Sequence, residues 1–339
     1  MNACIKNFDT ATRAYLSELT ALGMSEKTIQ NYSRRISRFR DFWANTEPTG
    51  DPMPEDIRNY RDYLTSGGLS KASVKQYLVE LKAFFEFACD IDYAFYERNP
   101  VSKKMYPKIT NADDKIYDKI LTADDLKKLW VNKCPIQNMG KSRWARNYAI
   151  ITLLLDGKIR NSELLDLRLS DIDFEFNEIV IRKGKGNKRR WVTVSNISIS
   201  AIQLYLKSGA RPAYVTDDDY LFGTTAATGT FGGGTKTNRE IWHQGTPQWL
   251  SSLVERHVAT VTGKKGFRTH SLRHNGAMID LNNGASLERI QAELGHSSKT
   301  TTEIYTGRLQ SVRKERDYRE VVAVRDQIAR ENLEMLEAM

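Results

Sequence analysis

The stretch from residue 270 to residue 305 constrains the fold of this chain more than any other part of the sequence. It begins with His270 and Arg273, which are three residues apart and therefore share one face of a helix. An apolar run follows, and Gly284 is typical of the position just after a helix end. The sequence therefore predicts a helix that presents a histidine and an arginine side by side.

A second short helix is predicted over residues 286–294, and Gly295 ends it. His296 comes directly after that helix, and Tyr305 lies on the next short segment. Together with the preceding histidine and arginine, these residues suit phosphate chemistry. A guanidinium binds two phosphate oxygens in a planar fork, an imidazole donates or accepts protons, and a phenol is a possible nucleophile.

The pattern His-x-x-Arg, then Leu-Gly-His, then a tyrosine nine residues on resembles the tyrosine recombinase (phage integrase-like) family. It is most similar to the simple two-domain type, such as Xer-like and transposon or phage integrases. The alternative is that each residue is ordinary: a helix-capping histidine, a surface arginine, a packed tyrosine. For all of them at this spacing, with further matches upstream, we favour the resemblance.

A turn between two predicted helices carries the next match. Residues 148–155 form an apolar run that predicts a buried helix, and a new helix starts just after Arg160. The segment that begins at Gly157 resembles the family's first catalytic box, in which Arg160 is the catalytic arginine and Glu163 its supporting acidic neighbour. Lys158 departs from the box, which usually has glycine there. The alternative for Arg160 is a plain salt bridge to Glu163.

Residues 178–182 and 189–194 alternate as strands around a turn rich in glycine and lysine, so they predict a β-hairpin. Members of the family carry a catalytic lysine on such a hairpin, and Lys185 is the match. Lys183 and Lys188 are alternatives, because the register of a hairpin tip can shift. Lys188 is also a candidate DNA contact, and the whole turn could instead bind phosphate without chemistry.

The N-terminal part of the chain predicts a compact bundle of four helices. They cover residues 10–22, 26–44 after the capping Ser25, a segment from Pro54 to Leu64, and one that follows Ser70 and ends near Ala88. The resemblance implies that this bundle is a core-binding domain. The candidate DNA contacts on it are Arg34, Arg35, Arg38, Lys71 and Lys75. The alternative is a basic face that is only solvated.

The fold class expected from these elements is mainly α with a small β-hairpin sheet (α+β). We expect an all-α core-binding domain over 1–102, a linker over 103–120 and a catalytic domain over 121–339. The family resemblance implies that the two domains form a C-shaped clamp on DNA. Within the second domain, the Gly- and Thr-rich stretch 223–245 is predicted to be a flexible loop without a phosphate-binding role.

The C-terminal tail, from about residue 311, is charged and helical in character. Val321, Val324, Ile328 and Met335 form an apolar stripe for which the sequence offers no obvious core. The family implies that such a helix docks on a neighbouring protomer and links a homotetramer on two DNA sites. The alternative is that it folds back on its own domain.

Composition sets wider limits. The net charge of +9 suits a polyanionic partner, and no stretch has the roughly 18 consecutive apolar residues of a membrane span. Cys4, Cys89 and Cys134 are far apart and lack Cys-x-x-Cys spacing, so disulfides and a zinc site are not expected. No carboxylate cluster has metal-ligand spacing, and no cofactor is expected. We expect a cytoplasmic, nucleoid-associated protein.

The resemblance implies a site-specific DNA recombinase that cleaves and rejoins strands through a 3′-phosphotyrosyl intermediate. Tyr305 is the expected nucleophile, and His296 joins the two arginines around the phosphate. The expected partner is double-stranded DNA with inverted-repeat core sites, and accessory DNA-bending proteins are compatible with this scheme. The expected reaction is integration or excision of a mobile element, or resolution. The alternatives are a type IB topoisomerase-like enzyme and a non-catalytic DNA-binding accessory of the same fold.

Overall fold

The computed structural model describes residues 3–109, 119–131, 140–184, 189–227, 240–294 and 319–338. The chain divides into two compact units, Met1–Asp114 and Lys115–Met339. The domain bounds expected from the sequence stay a prediction, and each unit is described here by itself.

Four helices make up the first unit. They are α1 (Ala3–Ala21), α2 (Glu26–Ala44), α3 (Pro54–Ser66) and α4 (Lys71–Ala88). The Ser25 side chain accepts a hydrogen bond from the backbone N–H of Thr28, and Ser70 does the same for Ser73. These caps satisfy backbone donors that have no partner inside the helix, so α2 and α4 begin where the sequence predicts.

The core of the first unit is aromatic. Phe8 lies at its centre, with ring centroids 5.0 Å from Phe84 and 5.7 Å from Phe39. The predicted start of α1 at residue 10 is wrong, because the buried stripe extends N-terminally through Ile5 and Phe8. The predicted end at Leu22 is one residue late, since the helix ends at Ala21 and Leu22 is 67% exposed.

The second unit is a larger helical assembly around one core that is mainly aliphatic. Its helices are α5 (Ala123–Trp130), α6 (Lys141–Asp156), α7 (Asn161–Asp166), α8 (Asn196–Lys207), α9 (Pro247–Thr262), α10 (Thr269–Asn282), α11 (Leu287–Leu294) and α12 (Arg319–Glu337). Helix α6 is buried along most of its length and packs against α8 and α10. It therefore connects the core to the residues of the first catalytic box.

Two antiparallel sheets lie in this unit. The first contains β1 (Ile172–Asp173), β2 (Glu178–Ile181) and β3 (Arg190–Thr193), with β2 in the middle. The hairpin predicted from the sequence is confirmed by the β2–β3 pairing, in which Ile181 lies opposite Arg190.

The second sheet corrects the predicted loop at 223–245. Strands β4 (Gly223–Ala227) and β5 (Glu240–Gln244) pair with each other, and only the residues between them lie outside the described part of the chain. The indole nitrogen of Trp242 donates to the carbonyl of Tyr220 at 2.8 Å. Pairing between distant strands supplies the order that the glycine- and threonine-rich composition does not indicate.

The tail helix also corrects an expectation, because α12 packs on α5 and α8 of its own unit. Ile328 and Leu336 are buried in the common core, whereas Met335, expected in the apolar stripe, is 47% exposed. The buried Asn332 amide donates to the Tyr148 hydroxyl at 3.0 Å. The alternative in which the tail folds back on its own domain therefore describes this chain, and the expectation that it lacks a core is wrong.

Candidate active site

The first catalytic box forms the turn between α6 and α7. Lys158 has φ +49° there, a left-handed conformation that glycine adopts more readily than lysine. Arg160 precedes the first turn of α7, and its backbone N–H donates to Glu163 Oε2 at 2.7 Å. The box therefore keeps its arginine and glutamate in register, although a lysine replaces the usual glycine.

Glu163 lies at the centre of three guanidinium groups. Arg160 donates to Oε1 at 2.8 Å, and Arg190 donates to both carboxylate oxygens at 2.7 and 2.8 Å. Arg273 lies 3.9 Å away from Oε2. Burial alone would raise the pKa of this carboxyl, but the hydrogen bonds from Arg190 and Arg160 outweigh it and lower the pKa to about 2. Glu163 is therefore a fixed anion that orients the arginines.

Arg273 on α10 is almost fully buried, with 3% of its surface exposed. Its guanidinium donates to the carbonyl oxygen of Lys158 at 2.5 Å and to that of Leu294, the last residue of α11. Arg160 donates to the same Leu294 carbonyl at 2.8 Å. Two guanidinium groups from distant parts of the chain thus converge on one oxygen atom.

The position of α10 depends on a close approach to α6. A Cβ atom at Gly276 would lie 1.8 Å from the carbonyl oxygen of Leu155, so a side chain at this position would collide with the backbone of α6. The neighbouring Asn275 side chain accepts from the backbone of Leu121 at 2.7 Å and donates to the carbonyl of Lys119 at 2.9 Å. These contacts fix the helix that carries Arg273.

His270 lies on the same helix, one turn before Arg273, and its side chain is exposed. Its Nε2 atom is 2.8 Å from Nε2 of His274, so one ring donates a hydrogen bond to the other. The larger cause that lowers the pKa of His270 is partial desolvation of its ring by the surrounding protein. The positive charges of Arg273 and Arg160 lower this pKa further. A neutral imidazole at this place is suited to accept a proton.

Of the predicted site residues, the structure brings Arg160, Glu163 and Arg273 into one cluster. His270 lies close enough for the charges of both arginines to act on its pKa. The predicted Lys185, Lys188, His296 and Tyr305 lie outside the described residues, so their roles stay predictions.

Sequence reasoning missed Arg190 and His274. Arg190 occupies the first position of β3, opposite Ile181, and its side chain reaches Glu163 from 27 residues away. A signal was present, because Arg189 and Arg190 follow the lysine-rich turn and only one of two successive strand residues can face inward. His274 lies one helical turn after His270, a spacing that predicts contact.

The basic residues predicted to bind DNA in the first unit fall into two groups. Arg34, Lys71 and Lys75 are exposed. Arg35 forms an ion pair with the buried Glu80, and Arg38 donates to the Tyr77 hydroxyl at 3.3 Å. The exposed group is available to a polyanion, whereas the other two arginines have contacts inside the unit.

Among the described residues, no group of three or more His, Cys, Asp or Glu side chains could hold a metal ion. Within the same ranges, no helix is both long enough and apolar enough to cross a membrane. The described site therefore consists of cationic and imidazole side chains around one carboxylate.

The described residues give a helical first unit and a second unit with a buried arginine cluster, and comparison with known proteins identifies the class of protein. Residues 119–311 match the model of the phage integrase family, and residues 13–90 match that of the phage integrase N-terminal SAM-like domain. The chain belongs to the phage integrase family of tyrosine recombinases, enzymes that catalyse site-specific DNA recombination.

The relatives include the tyrosine recombinase XerC of Oceanobacillus iheyensis, 30% identical over 83% of this chain and 86% of that protein. XerC of Bacillus subtilis is 28% identical over 89% of this chain and 92% of that protein.

Solved structures with a similar fold include XerH site-specific recombinase bound to a palindromic difH substrate. Its TM-score is 0.63 at 21% identity, over 86% of this chain and 81% of that chain. The Tn1549 transposon integrase in complex with circular intermediate DNA has a TM-score of 0.61 at 19% identity, over 87% of this chain and 94% of that chain.

Proposed function

We propose that this chain recombines DNA by using Tyr305 as the nucleophile that attacks a scissile phosphodiester. The observation that carries this proposal is the convergence of Arg160 and Arg273 on one oxygen atom, the carbonyl of Leu294. The Leu294 carbonyl oxygen accepts hydrogen bonds from both guanidinium groups. In the proposed DNA complex a phosphate oxygen accepts from the same two groups in the same way.

The charge balance of the site supports binding of an anion. Among the described residues, one carboxylate, Glu163, lies among three guanidinium groups, so these four side chains together carry a net charge of two positive units. During attack the non-bridging oxygens of the phosphate gain negative charge, and donors that are already oriented stabilise it without reorganisation. His296, which follows α11 by two residues in sequence, is proposed as a further donor to the same phosphate.

The proposed step exchanges one ester for another. The Tyr305 oxygen forms a bond to phosphorus, and the bond from phosphorus to the 5′-oxygen breaks. His270 accepts the phenol proton, which needs a base because a phenol pKa is about 10. Lys185 donates a proton to the leaving 5′-oxygen. The 3′-phosphotyrosyl product retains the ester bond, so a new 5′-hydroxyl can attack it without ATP.

The proposed partner is double-stranded DNA with inverted-repeat core sites. The solved relatives in complex with DNA support this partner, as do the exposed Arg34, Lys71 and Lys75 of the first unit. We propose Lys188 and, where they can leave their internal contacts, Arg35 and Arg38 as further DNA contacts. Such a partner would place the protein with the cytoplasmic nucleoid.

Recombination of two sites requires four cleavage events, which a homotetramer with two protomers per site would supply. Accessory DNA-bending proteins are compatible with this assembly. Because α12 packs on its own unit, the contact between protomers would involve a surface other than the expected apolar stripe. Integration, excision and resolution all use the same chemical step.

The test is covalent capture on a nicked suicide substrate, analysed on a denaturing gel. The wild-type chain is expected to give a shifted protein–DNA band, and Tyr305→Phe is expected to bind the site without forming it. Tyr214→Phe is the matched control, because Tyr214 is 55% exposed and distant in sequence from the motif. A covalent band with Tyr305→Phe would refute the assignment of the nucleophile.

A second experiment tests the general acid. Lys185→Ala should slow cleavage of ordinary DNA but not of DNA with a 5′-bridging sulfur, which leaves without needing a proton. Lys183→Ala and Lys188→Ala are the controls. If one of these variants is rescued by sulfur instead, that lysine and not Lys185 is the acid.

A further inference from the structure

Lys158 combines two unfavourable features in one residue. Its φ of +49° is one that L side chains rarely adopt, and its side chain is buried, with 5% of the residue exposed. A buried ammonium is unfavourable unless anionic and hydrogen-bonding partners surround it. Neither feature would be present with the glycine that the first catalytic box usually has. We therefore expect the lysine side chain to have a role that glycine could not fill.

The ammonium of Lys158 has partners on three elements. It donates to Asp280 Oδ2 on α10 at 2.5 Å and to the carbonyl oxygen of Asp156 at the end of α6 at 2.7 Å. Glu293 Oε2 on α11 lies 3.2 Å away. Burial by itself would lower the pKa of Lys158, but the charges of Asp280, Asp156 and Glu293 raise it, so the ammonium stays charged.

The backbone of the same residue contacts the active site. The Lys158 carbonyl accepts a hydrogen bond from Arg273, and Arg273 also donates to the carbonyl of Leu294. Leu294 is the residue after Glu293, which the Lys158 ammonium attracts. The Lys158 side chain thus contacts α10 and the end of α11, while the Lys158 carbonyl accepts from the guanidinium of Arg273 and orients it.

We propose that Lys158 is a positioning residue for the two arginines. Its ammonium joins α10 to α11 and thereby sets the directions in which Arg273 and Arg160 present their guanidinium groups to one phosphate oxygen. This inference rests on the proposed function, and it assigns to Lys158 no contact with DNA and no proton transfer.

The first test separates the charge of the side chain from the strain of the backbone. Lys158→Met keeps the length of the side chain and removes its charge. Lys158→Gly removes the whole side chain with its charge and also relieves the strain of the positive φ angle. Both variants are expected to cleave saturating nicked DNA about 10- to 100-fold more slowly, because small misplacement of catalytic groups has effects of this size. DNA affinity should change little. Wild-type cleavage rates in Lys158→Gly would overturn the proposal.

Lys264→Met is the matched control. The Lys264 ammonium donates to Asp125 at 2.6 Å and to the carbonyl of Ile120 at 3.1 Å, a similar set of partners in the same unit. Removal of the Lys264 ammonium should lower the thermal stability of the protein but should leave the cleavage rate unchanged. A loss of cleavage equal to that of Lys158→Met would show that any internal lysine pair matters, which contradicts a specific positioning role.

The second test uses a substrate with a neutral methylphosphonate at the scissile position, which removes the phosphate charge that the arginines neutralise. If Lys158 acts through Arg273 and Arg160, the cleavage defect of Lys158→Met should largely disappear on this substrate, because the two changes disturb the same interaction. An equal defect on both substrates would indicate a general structural role and overturn the proposal. Lys158→Arg, which restores the charge, should recover part of the rate on ordinary DNA.

These outcomes are distinct from failure of the proposed function. The wild-type covalent band depends on Tyr305 and is measured without any change at Lys158. If Lys158→Met does not fold, Lys158→Gly and Lys158→Arg still compare the absence and presence of the charge.

Discussion

Two buried glutamates, one in each unit, show how the same pairing of residues can stabilise a fold or build a site. Glu80 on α4 accepts from Arg35 and from Gln76, and its second oxygen has no hydrogen-bond partner among the described residues. Glu163 on α7 accepts from two arginines and lies near a third. One cation paired with one carboxylate is balanced, whereas in the described part of the chain three guanidinium groups surround a single carboxylate, and this cluster has a net positive charge.

The units around the two glutamates also differ in how many charged side chains they bury. The first unit packs aromatic rings around Phe8, and Glu80 is its buried carboxylate in the described ranges. The second unit has a mainly aliphatic core and buries Lys158, Glu163 and Arg273 close to the site. We therefore expect its stability to depend more on charge than that of the first unit.

Removal of the carboxylate charge should give the largest difference between the units. Glu163→Gln leaves three guanidinium groups without their anion, and breaking a buried pair in this way costs about 3–5 kcal/mol. Glu80→Gln should cost less, because it removes the anion from one guanidinium group rather than from three. Urea unfolding followed by hydrogen exchange in peptides of each unit measures both values. Equal losses would remove the distinction.

The next largest effect is expected on catalysis. Arg160→Lys keeps the charge but loses the planar fork, so cleavage of saturating DNA should slow about 10²–10³-fold. Arg35→Lys, the same change beside the other glutamate, should alter the cleavage rate of bound DNA by about threefold or less. Single-turnover formation of the covalent complex gives both rates. A large rate defect in Arg35→Lys would mean that the first unit takes part in the chemical step.

Acid should destabilise the second unit before the first. All five histidines of the sequence, the first being His243, follow residue 240. Burial lowers the pKa of His257 from 6.5 to about 4. The unfolded chain therefore binds a proton below pH 6.5 that the folded unit does not bind until about pH 4. Stability should fall by up to about 3 kcal/mol across that window.

His257→Leu should remove this pH dependence, which hydrogen exchange at several pH values can measure in α9 peptides. Peptides from the first unit, which contains no histidine, provide the internal reference. Parallel pH curves for the wild type and the variant would contradict the assignment.

The smallest predicted effect concerns DNA affinity in the first unit. Lys75→Ala removes an exposed cation, so the slope of log K against log salt should fall by about 1 if it contacts one phosphate. Lys82→Ala on the same helix is the control, because its ammonium forms an ion pair with Glu86. Fluorescence anisotropy over a salt series measures both slopes, and unchanged binding in Lys75→Ala would place the DNA elsewhere.

Much of the local structure follows from the sequence alone. The bounds of α2 and α4 result from serine caps that bond to backbone three residues away and from apolar residues at helical spacing. The β2–β3 hairpin results from strand alternation around a glycine-rich turn. The Arg160–Glu163 contact also spans three residues, so the motif predicts it directly. In each case the stabilising contact lies within a few residues or one hairpin.

Only the tertiary structure decided the features whose contacts join distant segments. Asn332 meets Tyr148 across 184 residues and holds the tail on its own unit, which no apolar stripe could indicate. Lys158, whose backbone has a positive φ, meets Asp280 across 122 residues, and the local sequence gives no indication of this partner. Local bonds can be inferred from spacing, whereas the long-range contacts depend on how α6, α10, α11 and α12 pack. That packing is set by the whole core at once.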